Sequence, residues 1–177
     1  MRKLTGLLWA ALMLPLNAAY GQDGPPSTEA EYQAAYEQRI KQRELYGVYI
    51  PVDLAEAFAQ LNKLTDVSSK QVFRSTEEIE AVRQYFNSFG RWIIHNWGFY
   101  GGSRYSHYLK ATGLSHPEDM AVFTMIMWHR HLNQKALDPK PVIEDILDRR
   151  RRKLESRYLQ GEVIEERVIA KPAGGGY

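Results

Sequence analysis

The sequence predicts an all-α fold: a single irregular helical bundle of about five or six helices with short connections. Three observations carry that prediction. Apolar residues recur at intervals of three and four over most of the chain, helix-start signatures precede the runs, and strand-type alternation is nearly absent.

Residues 1–21, MRKLTGLLWAALMLPLNAAYG, pass from a basic start (Arg2, Lys3) through about a dozen apolar residues to small residues at Ala19 and Gly21, the pattern of a secretory signal peptide cleaved after Gly21. The apolar part is short for a bilayer span, and Pro15, Asn17 and the polar GQDGPPSTE beginning at Gly21 argue against a retained anchor. The expectation is therefore an exported protein of the periplasm or cell exterior, with no transmembrane segment after cleavage. The chain has no Cys, which excludes a lipid anchor on that residue and leaves stability to packing in a compartment that would permit disulfides. Of 23 Lys and Arg, Arg2 and Lys3 leave with the signal, so the remainder equals the 21 acidic residues. A neutral mature chain gives no electrostatic case for nucleic acid as a partner. The roughly 156 remaining residues suffice for one domain burying about two thirds of its unfolded surface.

After a leader at 21–27, Thr28 with Glu31 forms a capping box, and Tyr32, Tyr36 and Ile40 mark an amphipathic helix that stops near Gly47. Asp53 with Glu56 starts a second helix with Leu54, Phe58 and Leu61 on one stripe, followed by a loop around 66–69. Thr76 with Glu77 and Glu78 opens a third, on which Ile79, Val82, Phe86, Phe89, Ile93 and Trp97 step by three or four. Gly90 within it costs on the order of 1 kcal/mol against Ala, a cost usually accepted where a neighbouring helix approaches closely. Gly98, Gly101 and Gly102 break the chain, and Ser103 caps a short helix ending near Gly113. Ser115, Pro117 and Glu118 signal the next start, and AVFTMIMW at 121–128 is apolar on every side but Thr124, so this helix should be central. After LDPKP comes a last helix, VIEDILDRRRRKLESRYLQ, with Ile143, Ile146 or Leu147, Leu154 and Tyr158 on its face, then a tail with a short extended piece at 162–169.

WIIHNWGFYGGSRYSHYL, 92–109, is the most concentrated stretch for recognition, and two readings of it stay open. In one, backbone N–H groups of the glycine turn, with Ser103 and Arg104, bind a carboxylate, phosphate or sugar against an aromatic wall of Trp97, Phe99 and Tyr100. In the plainer one, the glycines serve a tight reversal, Ser103 is a cap and the rings are core.

His116, Glu118 and Asp119 are the candidate catalytic residues, an acid and base with Arg104 stabilising negative charge. The same acids suit a helix first turn electrostatically, and Pro117 fits that position too. Metal and cofactor are not expected. His129 and His131, the only close histidine pair, are two apart and so point to different helix faces; the plain reading buries His129 and exposes His131 near the helix end. The run Arg149–Arg152 with Lys153 has the look of an acidic-lipid or nucleic-acid patch. It comes after Glu144, Asp145 and Asp148, however, so Asp145–Arg149 and Asp148–Arg152 pairs on a solvated face account for it as well.

Three stretches resemble a bacterial family of exported or envelope proteins classed as a domain of unknown function. They are IPVDLAEAFAQL at 50–61, WIIHNWGFYGGSRYSHYL at 92–109 and GLSHPEDMAVFTMIMWHRHLN at 113–133, with the combination N-W-G-x-x-G-G-S-R, H-P-x-D-M and H-R-x-L-N as the specific part. The resemblance implies a core domain over about 48–135, flanked by the leader and first helix (22–47), a charged helix (136–160) and a tail (161–177). It implies no activity. The leading expectation is a non-enzymatic module that binds a small anionic or sugar-like molecule, or an envelope protein, through Trp97, Tyr100, Ser103 and Arg104. The alternatives are a hydrolase or lyase acting on an envelope polymer, and a structural assembly partner.

Overall fold

The computed structural model of the protein describes residues 25–159, and the expected signal peptide and the tail with its extended piece lie outside them. The architecture is essentially all-α, as the periodicity predicts, with one two-stranded sheet.

Helix α1 (Glu29–Arg39) begins at the predicted capping box: Thr28 and Glu31 each accept from the other's backbone N–H. It ends earlier than Gly47. The intervening residues form an antiparallel hairpin, β1 (Glu44–Leu45) and β2 (Val48–Tyr49), in register Glu44↔Tyr49 and Leu45↔Val48. Tyr46 and Gly47 form its two-residue turn with φ of 53° and 79°, the left-handed pair that suits the twist of a hairpin. Strands of two residues are too short to produce a readable alternation, which is why the sequence reads here as a helix end.

Helix α2 (Leu54–Leu64) is capped by Asp53, whose carboxylate accepts from the Glu56 N–H at 2.9 Å. The expected loop at 66–69 is instead the first turn of helix α3 (Val67–Ser75), with Asp66 accepting from the Ser69 N–H at 2.9 Å. That hydrogen bond, added to those from Ser68, holds the Asp66 carboxyl far below its ordinary value. Thr76 closes α3 rather than opening the next helix, its hydroxyl donating to the Val72 carbonyl.

The long predicted third helix is a composite. Helix α4 (Glu78–Tyr85), capped by Glu77, runs into a π-helical turn at Phe86–Gly90 and then into helix α5 (Arg91–Asn96). The extra residue in the π turn rotates everything after it relative to α4, so Ile79 at one end of the stripe is exposed while Ile93 and Trp97 at the other are fully buried. Gly90 accounts for the close contact: a Cβ there would lie 2.7 Å from the Phe86 ring and 3.1 Å from the sulfur of Met125.

Helix α6 (Arg104–Ala111) starts at Ser103 as predicted, with Ser103 and Ser106 in a reciprocal, fully buried capping box. Helix α7 (Pro117–Leu132) is the central element, burying nine residues including Phe123, Ile126 and Trp128. Its N-cap is His116, not Ser115, because Pro117 takes the first helical position. Thr124, the polar exception in its apolar run, donates to the Met120 carbonyl at 2.7 Å and meets the hydroxyl of buried Tyr105 at 3.1 Å. His129 is buried as expected, whereas His131 is half-buried and stacks on Phe58 with ring centroids 4.5 Å apart.

Helix α8 (Pro139–Leu159) packs on α7 through Val142 and Ile146, while Leu147, Leu154 and Tyr158 are exposed, so only its first half joins the core. Of the expected pairs, Asp145–Arg149 forms at 2.6 Å, but Asp148 pairs with Arg151, and Arg150 reaches across to Asp119 on α7. Among the described residues no helix is long and apolar enough to cross a membrane.

Candidate functional site

The glycine-rich corner is formed by a Schellman ending of α5. The Phe99 N–H donates to the Ile94 carbonyl at 3.0 Å and the Gly98 N–H to His95 at 3.2 Å, with Gly98 at φ 65°. That reversal sends the four candidate binding residues to different places. Trp97 is fully buried, edge-on to Tyr105 and to Trp92. Ser103 is fully buried in its capping box. Tyr100 is exposed and donates to the Glu118 carboxylate at 3.2 Å, whose charge raises the Tyr100 pKa.

Arg104 turns toward the hairpin. Its Nε donates to the Ile50 carbonyl at 2.6 Å, its Nη2 to Glu56 at 3.3 Å, and its guanidinium carbon lies 4.9 Å from the centre of the Tyr49 ring. Glu56 also accepts from the Tyr49 hydroxyl and the Val52 N–H, and these hydrogen bonds, more than the Arg104 charge, keep its carboxyl below its ordinary value.

The glycine turn itself is covered by α1. Tyr36 lies on Gly102, Arg39 lies on Gly101 and donates from Nε to the Gly102 carbonyl at 3.1 Å, and the Tyr36 hydroxyl meets His107 Nδ1 at 3.0 Å. The chain thus binds its own first helix at this corner.

His116, Glu118 and Asp119 do converge, on a cavity of about 510 Å³ between the start of α7 and the face of α8. Both carboxylates already have basic partners: Glu118 pairs with the His116 ring, and Asp119 takes a two-point contact from Arg150. Burial works against ionisation of Glu118, but its own N–H, the His116 ring and the Tyr100 hydroxyl outweigh it and lower its pKa. Arg104 is not part of this group. Among the described residues, no three His, Asp or Glu are grouped to hold a metal ion.

A larger cavity, about 740 Å³, opens between α3 and the α4–π–α5 segment. Buried Phe73 and Trp128 form its floor, stacked at 5.0 Å and 26°. Half-buried Tyr85, Phe89 and Trp92 form a wall, with Phe89 5.2 Å from Trp128 and 6.0 Å from Phe73. Trp128 is oriented by an Nε1 hydrogen bond to Asn62 at 3.1 Å, and Trp92 is braced from behind by Trp97. Thr65, Ser68, Ser69 and Ser88 complete the polar part of the lining, with the Ser68 hydroxyl donating to Asp66 and the Ser88 hydroxyl to the Tyr85 carbonyl. None of the lining residues is basic, and the one acid, Asp66, is occupied as the cap of α3. The wall depends on the π turn, which sets Ser88 and Phe89 toward the groove between Tyr85 and Trp92. Sequence reasoning placed Phe89 on a helix stripe, Trp128 in the buried helix, Trp92 in the recognition stretch and Ser68 and Ser69 in a loop, and singled out neither Phe73 nor Tyr85. The clue available was Asp66 ahead of Ser69, a helix-start pattern leading to Val72 and Phe73, in and just after the stretch read as a loop.

Fold and groove together define an all-α domain with a preformed aromatic cleft. Residues 50–132 match the family model described as Domain of unknown function (DUF6794); the span runs from just before α2 to the end of α7 and holds all five rings of the groove. No curated protein and no solved structure matches the chain.

Proposed function

We propose that this chain is a non-enzymatic binding module that takes a neutral, sugar-like ligand in the aromatic groove of α3, α4 and α5. The observation that carries the proposal is a cavity lined by five aromatic rings and four serine or threonine residues, with no basic residue among the lining. Ring faces offer a flat apolar surface to the C–H side of a sugar ring, and serine and threonine hydroxyls both donate and accept, as sugar hydroxyls do. The cavity lies within the ordinary range for small-ligand sites, about 300–1,000 Å³. The signal-peptide pattern at 1–21 supports export, so that the ligand would be met in the periplasm or outside the cell.

An anionic ligand at the Trp97–Arg104 corner has less support, since Trp97 and Ser103 are sealed and Arg104 is committed to Ile50 and Glu56. A hydrolase or lyase built on His116, Glu118 and Asp119 has less support too, since Asp119 is held in an ion pair by Arg150 and Glu118 is engaged by the His116 ring and the Tyr100 hydroxyl.

A panel of neutral oligosaccharides, read by tryptophan fluorescence and by chemical-shift changes, tests the proposal. The expected result is saturable binding of at least one glycan, lost in Trp92→Ala and retained in Arg104→Ala under conditions where both are folded. A panel without response, or one that Trp92→Ala leaves unchanged, overturns it. So does occupation of the groove by an amphipathic peptide in preference to every glycan.

A further inference from the structure

The basic run at Arg149–Lys153 is left unexplained by the aromatic groove. The structure distributes it over two faces of α8. Arg151 stays in local pairing with Asp148, whereas Arg149, Lys153 and Arg157, one helical turn apart, line the 510 Å³ cavity facing the start of α7. From the first to the last of these the cationic edge runs roughly 12 Å along the helix.

We propose that this second groove binds a single-chain anionic amphiphile, with its head on Lys153 and Arg157 and its chain on the apolar floor. The apolar part of the same lining is Phe86, Val122, Ile146 and Leu154, which serves as its floor. Leu154 is exposed along this wall, a large apolar side chain placed where packing within the protein does not require it. The charge balance of the groove favours an anion. Four basic residues of the lining, Arg149, Arg150, Lys153 and Arg157, outnumber its two acids, Glu118 and Asp119; Asp119 is paired with Arg150, and Arg149 is shared with Asp145. Lys153 and Arg157 make no ion pair among the described residues, so the uncompensated charge of the lining is positive. A purely ionic ligand would leave the floor unused and a neutral one would leave the cations without a counter-charge; the combination selects a molecule with both parts.

This site is independent of the aromatic groove, sharing no lining residue with it. The test is equilibrium binding of dodecyl phosphate, below its micelle concentration, to the full-length chain, with dodecyltrimethylammonium, inorganic phosphate and hexaglutamate as comparisons. The expected result is saturable one-to-one binding of dodecyl phosphate, at least tenfold tighter than any of the three. The double charge reversal Lys153→Glu with Arg157→Glu should weaken it by tenfold or more. Those positions are exposed, so the variant should keep the wild-type circular dichroism and melting temperature. Lys153→Arg should retain binding, and Trp92→Ala should leave it unchanged. Equal binding of dodecyltrimethylammonium overturns the proposal by removing charge recognition. Equal binding of phosphate or hexaglutamate overturns it by removing the apolar floor. Insensitivity to the double reversal, or loss of binding in Trp92→Ala, overturns it by placing the ligand elsewhere.

Discussion

Tyr36 rests directly on Gly102: a Cβ added to that glycine would fall 2.3 Å from Cδ2 of the tyrosine ring. Gly102 also has φ 85°, a conformation that side chains disfavour by roughly 1–2 kcal/mol. The two demands are separable. Gly102→Ala should destabilise the protein by about 2–3 kcal/mol and release α1 from the corner. Tyr36→Ala in the same chain should recover the part due to the clash and leave the backbone part. Urea unfolding of the two single variants and the double variant checks this, and hydrogen exchange at residues 29–39 shows whether α1 has come away.

Arg104 ties α6 to the hairpin and to α2. Arg104→Ala removes a 2.6 Å hydrogen bond to the Ile50 carbonyl and leaves that buried residue's acceptor short of a partner. A loss of about 2 kcal/mol is expected. Arg104→Lys should recover little of it, because a single ammonium cannot serve Ile50, Glu56 and the Tyr49 ring at once. Thermal and urea unfolding of the three proteins gives the comparison; full recovery by lysine would show that charge alone matters.

The Glu56 carboxyl lies below its ordinary value of 4.5, chiefly through the Tyr49 hydroxyl and the Val52 N–H. A lowered folded-state pKa means that its stabilisation is fully present above that ordinary value and is lost as the pH falls through the folded value. Melting temperatures measured from neutral pH downward should therefore drop below pH 4.5. Glu56→Gln should melt lower at neutral pH and show a shallower decline in that acid window. An identical acid slope in the variant would assign the effect to other carboxylates, among which Glu31, Asp66 and Glu77 are shifted in the same direction by their capping roles.

Gly90→Ala opposes two effects. Alanine gains about 1 kcal/mol of helix propensity, yet its methyl group would stand 2.7 Å from the Phe86 ring and 3.1 Å from Met125. Met125 is flexible and can yield, whereas the Phe86 ring belongs to the π turn. A net loss of about 1 kcal/mol or more is expected from overpacking, with a larger effect on the groove wall. Chemical shifts of Phe89 and Trp92 in the variant report that second change.

Much of the fold was legible because helix starts are local. Thr28, Asp53 and Ser103 announce themselves within four residues, and the all-round apolarity of 121–128 marks α7 as central. The hairpin was not legible, since a pair of two-residue strands has no period. Nor was the π turn, because one inserted residue leaves every three-to-four spacing from Ile79 to Trp97 intact while rotating α5 relative to α4. The candidate site suffered for a related reason. Sequence brings Trp97, Tyr100, Ser103 and Arg104 within eight positions, but the Schellman reversal at Gly98 points them apart. The groove draws instead on α3, α4, α5 and α7, with rings separated by up to 55 positions between Phe73 and Trp128 that no local pattern joins.

Helix α1 has no fully buried residue, and its hold on the bundle rests on Tyr36 and Arg39 seated over the glycine turn. Tension applied at the N-terminus would therefore load that two-residue clasp before any of the interior. The clasp should therefore open before α2 through α7 unfold, making α1 the first element to peel from the bundle under load.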